Sequence, residues 1–171
     1  IANEPIGYRV AFTGQHDPET LWRLLGVSAV NEEAPLGRFE YTNVGYNITT
    51  ILTDRRLDVS WRDLIRREIF APAGMRRATA RMSEANAGGW RVAKPHLVSA
   101  EGDLHRVYLE KVDQTMQSAG GVIMSANDAV RWLELMVEDG RVGGRQVVSA
   151  KAVMSTRAPL AETGAEYEGY R

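Results

Sequence analysis

The sequence predicts a mainly α-helical fold with one small β-hairpin. Apolar residues recur at three- and four-residue intervals through most of the chain, and Asp17, Ser60, Ser125 and Ser149 each stand as an N-cap before such a stretch. The helical period breaks clearly only between Trp90 and Val112.

The first helix follows Asp17. Pro18 takes the first helical position, Glu19 and Thr20 lie in the first turn, and Leu21, Leu24 and Leu25 share a face. From Asn43 onward, Val44, Ile48, Ile51 and Leu52 give a stripe facing a core, so a second helix is expected to about Arg56. Ser60 opens a third, with Asp63 placed as in a capping box and Trp61, Leu64, Ile65 and Ile69 as its stripe; Pro72 and Gly74 stop it.

Val, Leu and Tyr residues around Glu101-Gly102-Asp103 predict a hairpin over about 92–110. Gly120-Gly121 then leads into a short extended piece, Val122 to Met124. Ser125 caps a helix whose expected inner face is Ala129, Val130, Leu133, Met136 and Val137, with Gly140 ending it. A last short helix follows Ser149. There is no repeat and no linker, and 171 residues with 44% apolar content suit one domain with its own core.

Composition excludes several classes of function. The 21 Lys and Arg and 22 Asp and Glu are interleaved, which disfavours a nucleic-acid partner. Arg55-Arg56 and Arg62 with Arg66-Arg67 alternate with Asp54, Asp58, Asp63 and Glu68, the pattern of a solvated helix face with local ion pairs. The chain has no cysteine, and His16, His96 and His105 are too scattered to form a metal site. No cofactor is called for, and no apolar run has the length of a membrane span. The first residue is Ile, and the chain reads as a piece of something longer.

Three stretches in order, "FEYTNVGYN", "SWRDLIRREIFAPAGM" and "SAGGVIMSANDAVRWLELM", resemble the penicillin-recognising serine hydrolase family. That family comprises class C-type β-lactamases, penicillin-binding proteins and related esterases. The resemblance runs from about Asp17 to Ala158 and implies the helical lobe of a β-lactamase/transpeptidase-like fold.

It also implies an acyl-serine mechanism built from a Ser-x-x-Lys helix start, a Tyr-x-Asn loop, and a Lys-Thr-Gly or His-x-Gly strand. Tyr41-Thr42-Asn43 matches the second element. No serine has Lys three positions later, and neither form of the third element occurs. A central fragment, inactive alone, is therefore expected from a parent acting on a β-lactam, a D-alanyl peptide or an ester. By resemblance that parent is periplasmic or secreted. The residues fix neither substrate nor oligomeric state, and a non-catalytic helical binding or scaffolding module is the competing reading.

Two readings apply to the loop itself. By resemblance, Tyr41 is catalytic, its phenol relaying the nucleophile's proton beside an ammonium, and Asn43 is substrate-binding, donating its amide to a carbonyl or holding the lysine. Otherwise Asn43 caps the helix at Val44 and Tyr41 is a half-buried aromatic. The neighbouring landmarks favour the first reading. Tyr46 is expected in the core and Asn47 as a polar contact of the helix. Gly120-Gly121 is read as serving backbone freedom, Trp61 and Trp132 as packing residues, and Trp90 as a hairpin anchor.

Overall fold

The computed structural model describes residues 17–29, 43–108 and 110–160. Its helices are α1 (Pro18–Gly26), α2 (Val44–Leu57), α3 (Trp61–Ile65), α4 (Met82–Ala87), α5 (Ala126–Val137) and α6 (Ala150–Arg157). Interspersed are the strands β1 (Ala78–Thr79), β2 (His96–Val98), β3 (Leu104–Arg106), β4 (Ile123–Met124), β5 (Arg141–Val142) and β6 (Arg145–Gln146). Each strand has one antiparallel partner, β1 with β4, β2 with β3 and β5 with β6.

Local chemistry sets the helix starts. Asp17 accepts from the Thr20 amide and hydroxyl at 2.9 and 2.7 Å. Ser60, Ser125 and Ser149 accept from the amides of Arg62, Asp128 and Ala152. The reciprocal half of a capping box is missing at Ser60, because the Asp63 carboxylate is forked onto the Arg81 guanidinium at 2.8 and 2.9 Å. Asp54 of α2 fills the gap by accepting the Trp61 amide at 2.6 Å.

Helix α3 runs on as a π-turn over Arg66–Phe70, and Gly74, in the left-handed region at φ 70°, follows. Ahead of α3, Asp58 closes α2 in the left-handed conformation that Asp tolerates better than most residues.

The main core gathers Phe70, Ala73, Met75, Ala78, Leu135, Val142 and Val153, with Ile65, Ile69, Trp132 and Met136 packed against it. A smaller cluster joins Leu21 and Leu24 of α1 to Ile51 of α2. The predicted hairpin forms as β2–β3, in the register His96 with Arg106 and Val98 with Leu104, and both strands are exposed.

Several expectations fail, for identifiable reasons. Tyr46 is 68% exposed, and Leu52 also faces outward, because α2 meets α1 through Ile51. Helix α5 carries two apolar rows. The inner one runs through Trp132, Leu135 and Met136, while Val130, Leu133 and Val137 are exposed. Trp90 follows α4, its amide bonded to the Ala85 carbonyl, and so belongs to a helix end. The β5–β6 hairpin turns through Gly143-Gly144, both at positive φ, a signal passed over in the sequence.

Among the described residues, no helix is long and apolar enough to cross a membrane.

Candidate active site

Tyr41 lies outside the described residues. Asn43, the other candidate, is exposed and opens α2 with its carbonyl accepting from the Asn47 amide at 3.3 Å. Its backbone is already helical, at φ −76° and ψ −21°, and its side chain makes no capping hydrogen bond.

One turn further along α2, the side chain of Asn47 is 6% exposed. Its Oδ1 accepts from the Ser118 hydroxyl at 3.2 Å and from the Ala119 amide at 3.4 Å. Thr50 adds a hydroxyl pair with Ser118 at 3.1 Å. Helix α2 thus holds the loop Gln117-Ser118-Ala119-Gly120 directly. A buried amide oxygen left without these donors would cost about 1–3 kcal/mol, which favours keeping the loop against α2.

The approach to that loop is held from two other sides. Arg62 of α3 donates through Nη2 to the carbonyls of Asp113 and Met116, at 2.9 and 2.7 Å, and through Nε to that of Ala80 at 3.2 Å. Asp113 accepts from the Ser83 amide at 2.9 Å and the Ser83 hydroxyl at 2.5 Å. Burial pushes the Asp113 carboxyl up, but the Ser83 hydroxyl and amide outweigh it, and its pKa falls below the ordinary value.

Gly121 finishes the loop under steric constraint. A Cβ there would meet the Gln117 carbonyl oxygen at 2.5 Å and the Met116 carbonyl carbon at 2.6 Å. Both are backbone atoms, so no rotamer change relieves the clash. Gly121→Ala is therefore expected to destabilise by about 3 kcal/mol, the upper end of the overpacking range, read as a shift in urea midpoint at constant slope. A gain of stability, as for alanine replacing an unconstrained glycine, would refute this account of the loop.

Arg62 is the residue that sequence reasoning misread. It stands in a charged run, yet it spaces with Ile65 and Ile69 at three and four residues and follows their inward row. Its neighbours Arg66 and Arg67 behave as the pattern predicts, in exposed pairs with Asp63, Glu84 and Glu68.

The hydrogen bonds from Arg81 hold the Asp63 carboxyl below its ordinary pKa. A depressed folded-state pKa gives stability that is present above the unfolded value, about 3.9 for Asp, and lost as pH falls through the folded one. Asp63→Asn should therefore flatten the drop in melting temperature between pH 5 and pH 2. An unchanged acid limb would remove Asp63 from that response. Asp54 has the opposite sign: burial raises its carboxyl although the Trp61 amide opposes the shift, so its contribution declines as pH rises through the raised value.

The arrangement of helices and small sheets is shared with solved structures. The octameric penicillin-binding protein homologue from Pyrococcus abyssi superposes with a TM-score of 0.69 at 22% identity, over 94% of this chain and 37% of that one. The penicillin binding protein from Bacillus halodurans gives 0.60 at 18%, over 85% and 43%. The D-amino acid amidase from Ochrobactrum anthropi SV3 gives 0.58 at 16%, over 81% and 37%.

These likenesses define a β-lactamase/transpeptidase-like fold, of which the chain spans less than half the length of each neighbour. The Beta-lactamase family model matches residues 5–170, and the chain belongs to that family. No curated protein matches it significantly.

Proposed function

We propose that this chain is the helical lobe, folding as one unit, of a β-lactamase-like serine hydrolase. In this reading it supplies Tyr41 as proton relay and Asn43 as substrate contact, and the Ser-x-x-Lys helix and the third-motif strand come from the remainder of a longer protein. The supporting observation is the direct tie of α2, the helix that Asn43 opens, to the Ser118–Gly121 loop through Asn47 and Thr50. Rigid seating of that helix start is what a positioned amide needs.

The chemistry is acyl transfer. The serine hydroxyl adds to the substrate carbonyl, its proton passing by way of the Tyr41 oxygen to the leaving group as the scissile bond breaks. Water then attacks the serine ester, releases the acid and restores the hydroxyl. Substrates are β-lactams, D-alanyl peptides or esters.

The test is acylation by a labelled penicillin, followed by mass spectrometry. The protein encoded by the whole reading frame should take up one label on a Ser-x-x-Lys serine, and the 171-residue chain none. A stoichiometric adduct on the 171-residue chain, or a whole reading frame without Ser-x-x-Lys, would overturn the assignment.

A further inference from the structure

A cleft of about 960 Å³ is lined by α4, by the stem of the β2–β3 hairpin and by Gly120, the residue after the Ala119 that Asn47 holds. Its size falls within the range of small-molecule sites, about 300–1,000 Å³. Its walls are mostly apolar, with Val92 and Val107 from the hairpin stem, Met116 and Val112 from the loop approach, and Val122 and Ile123 behind them.

The charged groups that line it are already engaged with one another or with backbone. Lys94 pairs with Glu110 at 3.0 Å, Lys111 donates to the Gly120 carbonyl at 3.1 Å, and Asp113 is bound to Ser83. A charged ligand would have to break one of these pairings, whereas an apolar one needs only to displace water. The lining therefore selects by apolar area.

We propose that this cleft receives an extended apolar acyl group of the substrate, making medium-chain esters or amides better substrates than acetyl ones. The proposal rests on the acyl-serine reading above and names its substrate class. The chain would run past Gly120 between Val107 and Val112. Burial of one methylene contributes about 0.8 kcal/mol, so kcat/KM is expected to rise about fourfold per added CH₂ until the cleft is filled.

The experiment uses the protein from the whole reading frame and a series of p-nitrophenyl esters from acetyl to decanoyl. The expected result is a rise of two orders of magnitude or more toward the medium chains. Two substitutions block the cleft from opposite walls, Val107→Trp in the hairpin stem and Asn86→Trp on the exposed side of α4. Either should abolish the chain-length preference while leaving acetyl turnover within about twofold, and Asn86→Trp keeps the test usable if Val107→Trp does not fold.

A flat chain-length profile with intact acetyl turnover overturns the cleft assignment alone, as does a preference that survives Asn86→Trp. Absence of both ester turnover and penicillin labelling overturns the hydrolase reading first and the cleft assignment with it.

Discussion

Arg62→Met is expected to destabilise the protein by about 3–5 kcal/mol, from the loss of a charged donor that serves several main-chain carbonyls at about 1–3 kcal/mol each. The guanidinium serves three main-chain carbonyls at once, those of Ala80, Asp113 and Met116. Methionine keeps much of the volume but donates nothing, and each orphaned buried carbonyl costs about 1–3 kcal/mol before relaxation. Water reaching the half-exposed site offsets part of that sum, so the total stays below three full penalties.

Total stabilities of single domains are about 5–15 kcal/mol, which makes this one side chain a large share. Arg62→Lys should recover little, because an ammonium cannot span three acceptors arranged for a planar fork. Urea titration of the three proteins decides it: a loss under about 1 kcal/mol for Arg62→Met would show that the loop is held by Asn47 and Ser83 without the arginine.

That arginine also marks where the sequence stopped being informative. Caps and helix starts were readable because Asp17, Ser60, Ser125 and Ser149 act on amides two or three residues away, and local chemistry leaves a local signal. Which apolar row of α5 turns inward depended on what packs across from it. Two rows of similar character are present: of the expected face Met136 packs against the core, while Val130, Leu133 and Val137 are exposed.

Arg62 contacts carbonyls 18, 51 and 54 residues away, and nothing in its neighbourhood announces them. The same holds for Asp54, whose partner is the start of the next helix. In the candidate site, the Tyr41-x-Asn43 loop was visible as a motif, and Asn47 was expected to make polar contact. Its partners at Ser118 and Ala119, 71 and 72 residues on, became visible only in the folded chain.

The largest expected effect on activity concerns Tyr41 in the whole protein. If its phenol relays the proton of the nucleophile, Tyr41→Phe should leave the melting temperature nearly unchanged and lower single-turnover acylation by about 10²–10⁴, the usual value of a positioned acid–base group. A phenol with a pKa near 10 needs a neighbouring ammonium to act at neutral pH.

Asn43→Ala supplies the matching control. The Asn43 side chain makes no capping hydrogen bond, so the roughly 1 kcal/mol that a lost N-cap costs is not expected here. As a substrate contact, Asn43 is expected to show its loss in acylation per folded molecule, whatever the change in melting temperature. A packing role for Tyr41 predicts the reverse pattern, with a lowered melting temperature and unaltered acylation per folded molecule. Melting and single-turnover rates measured on both variants separate the two cases, and wild-type acylation in Tyr41→Phe would take the phenol out of the mechanism.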